Sequence, residues 1–483
     1  MMNRSGIFFD ARKALALLAV CVLSVVLGCK KQEEFPDLGN RVANPVDVAV
    51  DQSERYFYAL NSDYPREFNQ GSLLVLDVDG NKVNALTLPR LGQSLTVAGT
   101  TLIITLSNSG ESPAKILLYD ISNPDAPKLA KTFEPTDCNP INASARAGYK
   151  YWAVSCSNGA IFAGALASPL ENSSLSKIRT FRRARRALHL DTSRNLLLAF
   201  TTDLGEQEFS DTQAEDSKRV DDTTDAETAE PNDIPDQYER SRTERSKKTR
   251  NEIHQFAVID LAGSEGAGWQ DKDLTQSSTD LRWIYFNLAN SDGALDMPAT
   301  ATNQNTKYYR TNFWEAKPDP SDGDAFYISH RGTLDKTRAV SPHANNIIRV
   351  KVTGNLADSA AKTKDVLSFE RVYGFKAELE KTDRHFVGDF ELANVQGKPL
   401  LLVNHFRDLV NWPGQGYFSL ATKVIGNNTW FTETSTLSSG KSYYQVALTS
   451  SGRALAANFY GNSLILLDVA PEVGITEKAI NIQ

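Results

Sequence analysis

Histidine, methionine and cysteine are scarce in this chain, at six, three and four in 483 residues, and the motifs that concentrate chemistry are missing with them. No CxxC pair or HExxH helix offers a zinc site, no GxSxG elbow presents a serine nucleophile, and no glycine-rich phosphate loop follows a strand. Four cysteines are too few for a scaffold built on disulfides. Beyond residue 29 no apolar run approaches the ~20 residues that span a bilayer. What remains is a chain with 41% hydrophobic residues, enough for a large core, whose organisation has to be read from its repeats.

One apolar run does occur, Ala14 to Leu27, after Arg4, Arg12 and Lys13. It is short for a membrane span and has the charged-then-apolar order of a secretory signal. Val26-Leu27-Gly28-Cys29 closes it and resembles the lipobox of bacterial lipoproteins. The resemblance implies a signal peptide over 1–28, cleaved before Cys29, and acylation of that cysteine as a lipid anchor. It also implies outer-membrane delivery, because Lys30 and Lys31 follow where an Asp at the second position marks inner-membrane retention in enteric bacteria. Residues 29–44 are then a tether that reaches at most ~50 Å. With Cys21 removed and Cys29 acylated, Cys138 and Cys156 remain in an oxidising compartment, where a disulfide between them is expected to contribute roughly 3 kcal/mol. A metal or redox role for the pair lacks both the CxxC spacing and a neighbouring histidine.

The mature chain repeats itself. Gly71-Ser-Leu-Leu-Val-Leu-Asp77-Val78 recurs near the other end as Asn462-Ser-Leu-Ile-Leu-Leu-Asp468-Val469. Looser copies are Lys115 to Ile121, Gln255 to Leu261 and Asn346 to Val352. Short apolar runs bounded by Gly, Asn or Ser read as strands buried on both faces. Two strands joined by a polar turn precede these copies, as in Val46 to Asp51 followed by Arg55 to Asn61, and a polar-alternating strand such as Lys82 to Leu88 follows. Four strands per unit, at a period of roughly 45 to 50 residues, is the pattern of a β-propeller blade.

Seven units are counted, starting near Pro45, Gly92, Asn142, Arg186, Leu281, His385 and Tyr443, with six or eight as the alternatives because long insertions stretch units four to six. The expected fold is therefore all-β, a propeller of seven blades with four antiparallel strands each, over residues 45–483. The stretch Leu117 to Phe133 resembles the LVIVD repeat of bacterial surface propellers, and the first and seventh units are similar to YVTN-type blades. Neither resemblance implies an activity. The aspartates that end the third strands, Asp77, Asp120, Asp260 and Asp468, read as caps of the following turn.

Loops between the second and third strands share a face with the crossings from blade to blade, and loops on a rigid scaffold commonly carry function. In the fourth blade this loop swells into residues 203–252, acidic in its first part and basic in its second, a composition expected to be disordered. Its net charge of about −8, set against −7 for the whole chain, leaves the remainder near neutral. Just before that blade stand Arg179, Arg182, Arg183, Arg185 and Arg186, a candidate for phosphate or carboxylate on an anionic polymer. A solvated rim, or a cover for the acidic insertion, explains them as well. Nucleic acid is disfavoured by the signal peptide and the neighbouring acidic block.

Further candidates lie in the fifth and sixth blades. His330, His343 and His405 could converge to hold a transition metal, although histidines at loop mouths more often bond locally. Asp319, Asp322 and Asp324 could wrap calcium, although the distal glutamate of an EF-hand is missing. Trp283, Tyr285, Tyr308, Tyr309, Phe313 and Trp314 fit either a sugar-stacking shelf or packing between blades. The inner strands offer Asp47, Asp389 and Glu391 without a regular constellation. These readings favour a membrane-anchored envelope lipoprotein whose propeller is a non-catalytic binding or scaffold platform for a protein or polymer, with no cofactor. The alternative is a metal-dependent hydrolase or redox propeller around His330, His343 and His405, with Arg331 and Arg407 on an anionic substrate.

Overall fold

A computed structural model describes residues 38–39, 41–65, 67–68, 70–108, 113–181, 183–204, 252–266, 281–285, 312–331, 346–356, 366–374, 385–407, 416–423, 431–438, 441, 443–478 and 480. Cys29 and the greater part of the charged insertion lie outside them. The described chain forms seven four-stranded antiparallel sheets, each with its strands in sequence order. Their first strands are Pro45–Val50, Gly92–Ala98, Pro140–Ser144, Arg183–Asp191, Asn312–Pro318, His385–Val395 and Tyr443–Leu448. Each packs against the first strands of its two neighbours, so these seven form a closed inner ring. The protein is a seven-bladed β-propeller.

Strand alternation explains the uninterrupted apolar runs. In the second strand of blade one, Tyr58 and Leu60 pack toward blade two, whereas Phe57 and Ala59 pack toward blade seven. Successive side chains point to opposite faces, and here both faces are seams. One apolar cluster fills each of the seven seams. Outer strands such as Lys82–Leu88 are covered less completely: Leu86 and Leu88 reach one seam, and Val83 and Thr87 on the other side are exposed.

Blades one and seven are each built from consecutive strands, so no shared strand closes the ring. Closure rests on the seam between them, where Phe57, Leu74 and Leu76 meet Leu455, Leu464 and Leu466. Residues 38–44, expected as tether, belong to this closure. Leu38 is fully buried. Asn44 donates from its backbone N–H to Asn462 Oδ1 at 2.8 Å and from its side chain to the Phe459 carbonyl at 3.1 Å.

The fifth blade corrects the sequence reading. Leu281–Tyr285 pairs with Glu252–Asp260 as the outer strand of blade four, and blade five opens at Asn312. A five-residue run such as Leu-Arg-Trp-Ile-Tyr has the same apolar pattern on an inner or an outer edge, so sequence alone did not place it. The third and fourth blades open at Pro140 and Arg183, two and three residues earlier than expected.

Turn chemistry follows the aspartates. Asp77 Oδ1 accepts from the N–H groups of Asp79 and Asn81, Asp120 Oδ1 from Ser122 and Asp260 Oδ1 from Gly263, at 2.8 to 3.0 Å. Asp468 instead pairs with Arg453. A second series caps the turn between first and second strands: Asp51, Asp191 and Asp319 each accept from the N–H of the serine two residues on, Ser53, Ser193 and Ser321.

Candidate functional site

Every first strand breaks register once near its start, at Pro45/Asp47, Gly92/Ser94, Ala184/Leu188, Phe313/Ala316, Val387/Phe390 and Tyr443/Val446, with the matching break in blade three opposite Ser155/Cys156. A bulge re-aims the side chains around it, and at this level it turns charged groups toward the axis. Asp47, Arg186, Glu315, Lys317, Asp389, Glu391 and Gln445 meet there from five of the seven blades.

The contacts form two joined pairs of clamps. The Arg186 guanidinium lies 3.3 Å from Glu315 and 3.7 Å from Asp47, stands over the Trp314 ring at 5.5 Å, and donates to the Ile141 carbonyl at 3.1 Å. The Lys317 ammonium lies 2.6 Å from Glu391 and 3.3 Å from Asp389. Gln445 links the halves, its amide nitrogen donating to Asp389 at 2.6 Å and its oxygen accepting from Arg186 at 2.8 Å. Backbone groups complete the set. Asp47 Oδ2 accepts from Leu95 N–H at 2.8 Å and Asp389 Oδ2 from Val446 N–H at 3.0 Å, so both bind the next blade in the ring by the same bond.

Four carboxylates against two cations leave two negative charges in excess, and the titration behaviour reflects it. Burial pushes the Asp47 carboxyl up to about 7 despite Arg186 and the Leu95 N–H. Burial likewise raises Glu391 to about 7 against the pull of Lys317, and raises Glu315. For Lys317 burial works the other way, but Asp389, Glu391 and Glu315 outweigh it and hold the ammonium charged. The side chains of Asp47, Arg186 and Asp389 are less than a tenth exposed, whereas Lys317 and Glu391 keep 24% and 21%. Water therefore reaches one end of the network and not the other. The arrangement is suited to holding protons near neutrality and to tying blades together.

The other expected sites fall out differently. Arg186, expected in an arginine cluster on the loop face, is instead buried and paired at the axis. Alternation along the strand turned it inward. Arg179 stands over the Phe181 ring at 5.0 Å, Arg185 is half-buried, and the side chains of Arg182 and Arg183 lie outside the described residues. His405 is not at a loop mouth: it is fully buried, stacked on Tyr417 at 4.3 Å, with Nε2 3.0 Å from the Tyr373 hydroxyl. His343 and the side chains of His330, Arg331 and Arg407 lie outside the described residues.

The acidic turn is occupied by cations of the protein itself. Arg349 binds Asp319 at 2.8 Å and Asp322 at 2.6 Å, Lys351 binds Asp322 at 2.8 Å, and Arg194 binds Asp324 at 2.8 Å. Asp319 also caps its own turn as Asp51 and Asp191 do. Calcium would have to displace these partners. Among the described residues no three His, Cys, Asp or Glu side chains are grouped to hold a metal ion. Cys138 and Cys156 are bonded through sulfur, with Cα atoms 5.3 Å apart. Of the aromatic shelf, Phe313 packs in the seam on Phe200 and Phe256, Trp314 covers Arg186, and the side chains of Trp283, Tyr285, Tyr308 and Tyr309 lie outside the described residues.

Arg186, Glu315, Lys317 and Gln445 had not been assigned to the axis from sequence. A signal was present in Glu315-Ala-Lys317 and Asp389-Phe-Glu391, charged residues two apart on inner strands, which share one face.

No protein-family model and no curated protein sequence matches the chain. Among solved structures it is similar to the hydrazine synthase of Kuenenia stuttgartiensis at 10% identity, over 94% of this chain and 99% of that one, with a TM-score of 0.50. It is also similar to the Cps50 (Swd1) β-propeller domain of Myceliophteria thermophila, at 9% identity over 89% and 98% of the two chains, TM-score 0.49. Sqt1 of Chaetomium thermophilum, solved bound to the N-terminus of ribosomal protein L10, matches at 10% identity over 91% and 87%, TM-score 0.45. What is shared is the fold. At such identities activity does not travel with it.

Proposed function

We propose that the protein is a lipid-anchored lipoprotein of the bacterial cell envelope, related to the LVIVD and YVTN propellers. In this reading its propeller is a non-catalytic platform whose loop face binds an envelope protein or an anionic polymer. The observation that carries the reading is the pairing at the axis. A hydrolytic propeller needs funnel carboxylates open to a metal or a substrate, whereas Asp47, Glu315, Asp389 and Glu391 bind Arg186, Lys317, Gln445 and backbone N–H groups of the scaffold. The blades differ most in loop length, above all at 205–251 between the second and third strands of blade four, the expected insertion of 203–252 being shortened because Asp203, Leu204 and Glu252 pair within those strands. Outer-membrane localisation rests on Cys29 and the lysines after it.

The test is crosslinking in cells followed by recovery of the protein with the insertion intact and with 205–251 deleted. The account expects a discrete partner that is lost or weakened by the deletion. Recovery of no partner, together with a stoichiometric metal and a turnover activity in the purified protein, would overturn it.

A further inference from the structure

The N-terminal arm leaves the propeller on its loop face, beside a cluster of aromatic side chains. Asn61, at the loop end of its strand, donates to the Arg41 carbonyl at 3.1 Å and accepts from Ala43 N–H at 3.3 Å. The Arg41 guanidinium stands 5.5 Å from the centre of the Phe68 ring. Next to it Tyr64 packs edge-on to Phe459 at 5.8 Å, and Phe459 edge-on to Tyr460 at 4.9 Å. Phe459 is buried, but Tyr64 and Tyr460 are 47% and 37% exposed. The loop that carries Tyr64 is held from beneath by Asp63, whose carboxylate accepts from the N–H groups of Glu67 and Phe68, both at 3.0 Å.

We infer that this corner of the loop face, at the seam of blades one and seven, lies against the lipid bilayer with Tyr64 and Tyr460 at headgroup depth. The inference rests on the anchor at Cys29. Only eight residues, Lys30 to Asp37, separate that cysteine from buried Leu38, a reach of about 30 Å at full extension. A seven-residue strand is already about 23 Å long. With the opposite face toward the membrane, the tether would spend about three quarters of its full extension passing the flank of the propeller. With the loop face down it has slack. Tyrosine, apolar in its ring and polar at its tip, favours the headgroup region. The tether carries Glu33, Glu34 and Asp37 beside Lys30 and Lys31, so the attraction is assigned to the rings and not to net charge.

The experiment is hydrogen exchange on the acylated full chain reconstituted in phosphatidylcholine vesicles, compared with Cys29→Ser protein in solution. Backbone amides of 62–70 and 459–463 are expected to exchange roughly tenfold more slowly on vesicles, while the turns at 77–81 and 470–474 on the opposite face are unchanged. Tyr64→Ser with Tyr460→Ser should remove the protection, and Val473→Ser should not. Replacing phosphatidylcholine by phosphatidylglycerol should leave the pattern as it is. Equal protection of both faces, protection of the turns alone, or protection that survives the double substitution would overturn the orientation. A Cys29 that carries no acyl mass in protein recovered from cells would remove the anchor itself, and the orientation with it.

Discussion

Arg186 of blade four and Asp47 of blade one face each other at the axis with their charged atoms 3.7 Å apart, and Glu315 of blade five shares the same guanidinium. The sequence offered that arginine as one of five candidate ligands for an anion. Its actual anions belong to the protein.

Replacing it therefore tests the distinction. Arg186→Met leaves two buried carboxylates unpaired and is expected to cost about 3–5 kcal/mol in denaturant unfolding at neutral pH. The cost should shrink as the pH is lowered, because burial raises both carboxyls and protonation removes the uncompensated charge. A variant of unchanged stability that had lost phosphate binding would restore the original expectation.

The axial carboxyls also set a pH dependence. Asp47 and Glu391 are held near 7 in the folded chain and fall to about 4 when unfolded, so the folded state binds more protons between those values. Their contribution to stability is complete below about pH 4, is lost as pH rises through 7, and is flat above about 8. Thermal midpoints should fall across that window, and Asp47→Asn should flatten the slope. Asp322 works in the opposite sense. Its hydrogen bond to Lys351 and its other partners hold it down to about 2, so its contribution is present above about pH 4 and lost as pH falls toward 2.

For the acidic turn, Asp319→Ala removes a cap and an Arg349 partner and is expected to lower the thermal midpoint. Calcium should leave the midpoint of the unaltered protein where it is. A calcium-dependent rise, as ligand linkage would produce, would show a bound ion.

His405→Ala is expected to destabilise the sixth blade by about 2–4 kcal/mol, through the cavity it leaves and the lost stacking on Tyr417. Metal content measured by mass spectrometry on the purified protein should be the same before and after the change. Release of a stoichiometric metal would point back to a histidine centre.

The repeat made the propeller legible because buried strands need apolar residues on both faces, and Phe57 to Leu60 or Leu73 to Leu76 have no other way to be accommodated. The caps at Asp77, Asp120 and Asp260 were legible for the same reason: a turn chemistry repeated in blades one, two and four leaves a repeated residue. The axis was less so. Asp47, Asp389 and Glu391 stood out as inner-strand acids, but their partners come from blades four, five and seven, and ring closure over hundreds of residues has no local signature. Arg186 stood out only as one of five neighbouring arginines, although a bulge in its strand turns it to the axis while Arg179 lies over Phe181. Asp319 was a candidate calcium ligand in the sequence, and its kinship with Asp51-Gln-Ser53 and Asp191-Thr-Ser193 emerges only when the turns are superposed by their place in the blade.

In the proposed reading the loop face, not the axis, meets the partner. A photocrosslinking residue placed in living cells at Asn108 or Asn158 on the loop face, and at Val473 on the opposite one, addresses it most directly. The account predicts a discrete protein or polymer adduct from at least one loop-face position and none from Val473. Adducts from Val473 alone would contradict it.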